Sequence, residues 1–402
     1  MRSPNHTVVT PNRTTAFGPR LRDLRVSAGH TQRQLAHASG LSVRAIRDLE
    51  NGRVQRPRAV TLRLLAGALG LSAPQLDRLT RETTPRLPPR GPLLGRETEL
   101  AALTAMLGSE QHRLVTITGL EGVGKTRLAL EVARTLDTDD HPTPLWLSPH
   151  GPPHNNHHNA RRLSDHIGHT RRLLVIDGAR PGDTTATHLL TTCPRLRIVV
   201  TTRDPADLPP DTLFPLAPLP VPPTGTEPAD LGAVPSVSLL LTRLARTHPA
   251  FRPNPDTLAD IARICRALDG LPAALEAAAR WSLVYSPRQL AQQLTTDPLT
   301  VARGPDGHPG RATFASVPGT VAALSRRQRH LLAAMSRGTS TEPDGYWSVP
   351  HLARTVDRTA ADCADDIYRL LVLGVVRRAD HHHTALFKVL NIVSEAGCHA
   401  AA

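Results

Sequence analysis

Lysine is almost missing from this 402-residue chain: only Lys125 and Lys388 occur, and arginine carries the rest of the positive charge. With 37 prolines and abundant alanine, that bias points to a GC-rich coding sequence and says nothing of function. Cysteine is scarce too. Cys193, Cys265, Cys363 and Cys398 lie far apart with no C-x-x-C pair, which excludes a disulfide framework and a zinc knuckle and suits a reducing compartment. No stretch approaches the roughly 18 apolar residues of a membrane-spanning helix, and the opening MRSPNHTVVTPNRTT lacks the apolar segment of a secretion signal. A cytoplasmic chain that does not enter a membrane is expected.

Acidic residues are rare at one end. Residues 1–90 hold 16 Arg against 5 Asp plus Glu, so this segment carries +11 of the net +13. Nucleic acid is the natural partner for such a surface. The length predicts roughly two to four domains.

After a tail expected to be disordered (1–16), five short helices can be drawn from Phe17 to Leu79. Thr31 and Ser42 suit N-caps, while Gly40 and Gly52 suit turns that close helices. Ala45, Ile46 and Leu49 share one face of the third helix and are expected in the core; Val43, Arg44 and Arg47 share the other. TQRQLAHASGLSVRAIRDLENG resembles the lambda-repressor-like (Xre-type) helix-turn-helix family. The resemblance implies an all-α bundle binding double-stranded DNA, with Val43, Arg44 and Arg47 in the major groove and Gln32 and Ser42 on backbone or base edges. Arg58, outside that helix, is expected to act on all sequences alike. TRETTPRLPPRG reads as a semi-rigid linker.

The centre of the chain is GLEGVGKT, Gly119 to Thr126, which matches the phosphate-binding pattern G-x-x-x-x-G-K-[ST]. An apolar, β-branched run precedes it, and Leu128, Val132 and Leu136 follow at helical spacing. Gly119, Gly122 and Gly124 let consecutive backbone N–H groups turn inward. Lys125 suits the β- and γ-phosphates of ATP, and Thr126 suits Mg²⁺. Downstream, RRLLVIDG ends a buried strand in Asp177, placed to meet Mg²⁺ through water. Lys125 and Asp177 are thus the candidate catalytic pair.

GRETEL, before the loop, resembles the entry motif of STAND-class (NB-ARC-like) ATPases. The resemblance implies an α/β P-loop NTPase with a parallel sheet, an α-helical subdomain and a winged helix, alternating between ATP and ADP. It assigns Arg96 as a nucleotide contact, and Arg203, closing LRIVVTTRD, as the γ-phosphate sensor. Gly270, Leu271, Pro272 and Ala273 resemble the family's GLPL motif, which puts Pro272 beside the adenine. Two departures stand out. Gly178 and Ala179 follow Asp177 where the family usually has an acid or amide, so slow hydrolysis is expected. Val389, Leu390 and Asn391 occupy the place of the Met-His-Asp motif, so the ADP-holding histidine is absent.

The expected divisions are 17–80 helix-turn-helix, 81–91 linker, 92–222 NTPase, 223–300 helical subdomain, 301–322 linker and 323–398 winged helix, the last read as three helices, a strand pair and a closing helix. Histidines crowd 150–169 (His150, His154, His157, His158, His166, His169) and recur at 381–383. Neighbouring prolines and asparagines favour polar loops over a metal site. The readings left open are a nucleotide-switched, DNA-binding transcriptional regulator, a homo-oligomerising signalling ATPase whose helix-turn-helix is an adaptor, and a nucleotide-holding scaffold without turnover.

Overall fold

The computed structural model describes residues 17–51, 59–71, 93–109, 111–136, 144–147, 160, 163–165, 167–205, 208–209, 212–296, 298–305, 314, 316–340, 343–381 and 384–394. The expected tail, Gly52, Arg58, the fifth N-terminal helix, the linker 81–91, His150, His154, His157, His158, His166, His382, His383 and Cys398 lie outside the described residues. The chain divides into two compact units, Met1–Gly91 and Pro92–Ala402.

The first unit holds α1 (Phe17–Ser27), α2 (Gln32–Ser39), α3 (Val43–Glu50) and α4 (Ala59–Ala68). Thr31 caps α2 in a reciprocal box with Gln34, Gly40 closes it in the left-handed conformation, and Ser42 caps α3 through Ala45 N. Leu21, Leu35, Ala36, Ile46, Leu49 and Leu65 form the core. Polar groups fasten the bundle as well. Glu50, 8% exposed, takes Arg25 Nε at 2.5 Å, Arg25 Nη2 at 3.1 Å and Gln32 Nε2 at 2.8 Å. Burial raises the pKa of this carboxyl, but the bonds from Arg25 and Gln32 outweigh it and hold the group below its ordinary range.

The second unit opens with α5 (Glu97–Gly108), β1 (Leu114–Thr118), α6 (Lys125–Thr135), β2 (Leu145–Leu147), β3 (Arg172–Ala179), α7 (Thr185–Thr192), β4 (Leu196–Thr202) and β5 (Leu213–Pro215). All five strands run parallel in the order β2-β3-β4-β1-β5. Period-two alternation divides their side chains between two cores. Val115, Ile117, Leu173, Val175 and Val199 face Leu128, Val132 and Leu103. Leu114, Leu174, Ile176, Ile198 and Val200 face Ala186 and Leu189 of α7. Burial on both faces is why these strands read as unbroken apolar runs. Each fully buried Val, Leu or Ile contributes about 1.5–3 kcal/mol.

Six helices follow: α8 (Pro228–Leu231), α9 (Pro235–Thr247), α10 (Pro255–Ala267), α11 (Pro272–Trp281), α12 (Pro287–Thr296) and α13 (Pro298–Arg303). Every one starts on proline, whose fixed φ and missing N–H suit the first helical turn. The proline-rich sequence here therefore punctuates packed helices as well as linkers.

The last elements are α14 (Val317–Ala322), α15 (Arg326–Arg337), β6 (Trp347–Ser348), α16 (Val349–Thr355), α17 (Ala360–Leu373), β7 (Val376–His381) and β8 (Thr384–Val389). A strand pair is expected from the sequence. The structure adds β6, giving an antiparallel sheet in the order β6-β8-β7. Two residues are too short a run for strand alternation to be read. One buried core runs from Leu103 through Leu275 to Ile392, across the expected boundary at 222/223 and the expected linker at 301–322.

α17 ends against the glycine loop. Gly374, at φ +74°, caps it, and a β-carbon there would lie 2.4 Å from Leu120 N and 2.8 Å from Gly119 Cα. Around this contact Arg369 Nη2 reaches Asp204 Oδ1 at 2.8 Å and Arg377 Nη2 reaches Leu219 O at 3.1 Å. Asn391 Nδ2 donates to Arg266 O and Ala267 O, and Ile392 N donates to Asp269 Oδ2 at 3.3 Å. Burial pushes the Asp269 carboxyl up to about 7, against the opposing pull of Arg377.

Gly374→Ala should therefore destabilise the second unit by about 3 kcal/mol or more, since the left-handed penalty of about 1–2 kcal/mol adds to a backbone collision. Gly345 has the same φ of +74° with nothing near a β-carbon. Gly345→Ala should cost only about 1 kcal/mol in urea unfolding, within the left-handed penalty alone. Equal losses in the two variants would refute the tight contact.

Candidate functional site

The loop after β1 bends where glycine permits: Gly119, Gly122 and Gly124 have φ of +131°, +79° and +107°. Lys125 begins α6, so the helix N-terminus and its unpaired N–H groups lie at the loop. The Lys125 ammonium turns back across the loop, donating to Gly119 O at 2.7 Å and Leu120 O at 2.9 Å. Burial, then the neighbouring Arg203 guanidinium, lowers its pKa to about 8, although Glu121 and Asp177 pull the other way.

Asp177 ends the apolar part of β3. Its Oδ1 accepts from the Thr126 hydroxyl at 2.7 Å and from the Thr201 hydroxyl at 2.7 Å. Thr201 Oγ1 in turn accepts from Gly178 N at 2.9 Å. The sheet makes this contact, because Asp177 and Thr201 are register partners on parallel strands. The register then shifts between Asp177 and Ala179, where Gly178 takes φ +84°. Thr201 escapes a motif search. Its only signal is the TTR sequence that closes β4, and its partner is visible only with the register in hand.

This donor set fits a Mg²⁺-nucleotide. The residues combine a glycine-bent backbone, a helix N-terminus, a half-buried ammonium and a hydroxyl–carboxylate pair at the carboxyl ends of parallel strands. Lys125 would meet the phosphates, while Thr126 and Asp177 would serve the metal ion.

The other expected contacts fall in different places. Arg203 Nη1 lies 3.3 Å from Glu121 Oε2, a carboxylate within the loop that motif reading passed over. Arg96, 4% exposed, donates to Val123 O at 3.3 Å, Ala217 O at 2.7 Å and Glu99 Oε1 at 2.7 Å. It thereby ties the loop to the segment after β5. Pro272 is brought to the loop: Ala273 N donates to Gly122 O at 3.1 Å, and the proline Cγ is 4.0 Å from where a β-carbon on Gly124 would stand.

In the first unit, Arg44 and Arg47 stand exposed on α3, with Arg44 Nε 3.9 Å from Asp48 Oδ2. Val43 departs from the expected outer face, since it packs half-buried against the bundle core, and Ala45 is only half-buried. Ser42 Oγ is engaged as a cap and the Gln32 amide is held by Glu50. Among the described residues no group of three or more His, Cys, Asp or Glu could hold a metal ion. No helix among them is long and apolar enough to cross a membrane.

Because the loop must hold a positive charge beside phosphate, nucleotide affinity should be level below pH 7 and fall above about pH 8. There Lys125 must take up a proton to bind, and the loss approaches roughly tenfold per pH unit. Titration calorimetry in buffers of different ionisation enthalpy would show that uptake at pH 8.5. Lys125→Ala should abolish binding and leave the N-terminal bundle folded; wild-type affinity in that variant would disprove the assignment.

Comparison with known proteins finds a family match in each unit. Residues 21–76 match the helix-turn-helix family HTH_3, and residues 92–249 match the AAA ATPase domain family AAA_16. A Mycobacterium tuberculosis protein provisionally named an HTH-type transcriptional regulator is 30% identical over 46% of this chain and 22% of its own length. The chain thus spans about a fifth of that relative. An uncharacterized protein of the same organism is 29% identical over 66% of this chain and 74% of its own. Among solved structures, a Walker-type ATPase of Pyrococcus abyssi aligns over 76% of this chain and 96% of its own, with 14% identity and a TM-score of 0.41. The chain joins a helix-turn-helix domain to an AAA-type P-loop ATPase domain.

Proposed function

We propose that this protein is a transcriptional regulator of the STAND (NB-ARC-like) type, whose hold on DNA is set by whether ATP or ADP occupies its glycine loop. The observation that carries the reading is the docking of α17 on that loop, with Gly374 packed against Gly119 and Leu120. A phosphate chain would be held by the same loop that α17 packs on. Within this reading the NTPase spans 92–222, the helical subdomain 223–300 and the winged helix 323–398, whose order of helix, strand, two helices and two strands suits that assignment.

Lys125 binds the β- and γ-phosphates, Thr126 and Asp177 serve Mg²⁺, Arg203 reads the γ-phosphate and Pro272 borders the adenine. Arg96 acts through the loop it braces. Moving a 1:99 equilibrium to 99:1 takes about 5.5 kcal/mol of differential affinity, within reach of phosphate contacts from two cations. On the DNA side Arg44 and Arg47 read base edges, with Val43 beside them, while Gln32 and Ser42 lie along the sugar–phosphate backbone. The protein works in the cytoplasm, and nucleotide state sets its assembly with further copies on DNA.

Salt dependence separates this reading from the adaptor alternative. Full-length protein and the isolated 1–91 unit should both bind duplex DNA, each phosphate neutralised adding about −0.9 to the log–log salt slope. Arg44→Ala or Arg47→Ala should cost roughly 1–3 kcal/mol and relax preference at one base pair, whereas Arg58→Ala should weaken all sequences alike. Absence of DNA binding at low salt would favour the adaptor. Turnover should be slow, because Gly178 and Ala179 place no acid or amide after Asp177; a steady-state rate near the typical enzyme value of about 10 per second would rule this out.

A further inference from the structure

Glu121 lies inside the glycine loop, at a position where the motif leaves the residue open. Its Oε2 accepts from Arg203 Nη1 at 3.3 Å and also from the Ser316 hydroxyl. The two donors come from different parts of the second unit. Arg203 follows β4 at the carboxyl edge of the sheet, while Ser316 stands at the N-cap of α14, the helix leading into the C-terminal elements. A serine at an N-cap ordinarily accepts from the helix backbone. Here its side chain makes no capping bond and is turned to Glu121 instead.

Arg203 and Glu121 both lie near enough to Lys125 to perturb it, in opposite senses. The pair therefore stands beside the place where Lys125 would hold the end of a phosphate chain. A terminal phosphate and the Glu121 carboxylate are anions with a claim on the same guanidinium, and like charges resist sharing one site.

We propose that Glu121 is a built-in competitor of the γ-phosphate. It occupies Arg203 when no triphosphate is bound, and a nucleoside triphosphate must displace it, which also releases Ser316 at the start of α14. The site is thereby biased toward the diphosphate, and the γ-phosphate is coupled to the C-terminal elements. The side chains of Arg203 and Glu121 are 55% and 28% exposed. Such a partly solvated pair is weak, so a phosphate carrying more charge and several acceptors can break it. The proposal rests on the nucleotide reading above.

The test is the ratio of affinities for a non-hydrolysable ATP analogue and for ADP, titrated into the full-length protein with Mg²⁺. Glu121→Gln should raise that ratio about 5- to 10-fold, the scale of losing one weak charge pair with its hydrogen bond. Ser316→Ala should raise it in the same direction by less. Glu131→Gln removes a carboxylate that pairs with Arg127 and Arg134 on α6, and should leave the ratio at the wild-type value. In an Arg203→Ala background the gain from Glu121→Gln should vanish, since the cycle isolates the pair. An unchanged or lowered ratio in Glu121→Gln overturns the proposal. So does a gain that persists without Arg203, which would mean simple repulsion of phosphate. Wild-type protein that binds neither nucleotide would instead overturn the nucleotide reading itself.

Discussion

The backbone of residues 119–124 is the constraint on which the second unit depends. Its carbonyls are engaged by parts of the protein far apart in sequence: Gly119 O and Leu120 O by Lys125, Gly122 O by Ala273 N, and Val123 O by Arg96. Leu216 O approaches so closely that a β-carbon on Gly119 would lie 2.7 Å from it. Buried carbonyls without partners would cost about 1–3 kcal/mol each, so each bond made here holds both the loop and the segment that supplies it. With the carbonyls turned outward to protein, the N–H groups at the helix start are left for an anion.

The same arrangement gathers distant segments of the second unit at one loop. The segment after β5, the turn opening α11, α5 through Arg96 and the end of α17 all close on a few residues of glycine loop. The buried core of these elements is continuous, so under the proposed reading a shift at the loop would be felt as repacking in all of them. Asp269 marks the far side of this closure. It is buried in the corner between α10 and α11, and it meets the chain beyond β8 through Ile392 N.

The helix-turn-helix bundle depends on a smaller device. Glu50 closes α3 and is gripped by Arg25 from α1 and Gln32 from α2, so three helices share one buried carboxylate. That grip leaves Arg44 and Arg47 as the exposed basic residues of α3. It also explains why Gln32, expected at the DNA, already has a protein partner, while Ser42 is engaged separately as the cap of α3.

What the sequence determined alone is what short-range physics controls. The glycine loop between a β-branched strand and an amphipathic helix, the caps at Thr31 and Ser42, the aspartate that closes the apolar run of β3 and the basic excess of residues 1–90 can each be read from a few neighbouring residues, because each arises from local backbone conformation or simple charge. The tertiary structure decided everything that needs two distant segments at a known register. Thr201 meets Asp177 across 24 residues, Arg203 meets Glu121 across 82, and Ser316 meets Glu121 across 195. The prolines that look like linker in one dimension start helices in three. No local pattern encodes such pairs, since each side chain's partner is set by strand register, helix packing and the closure of the core around the loop.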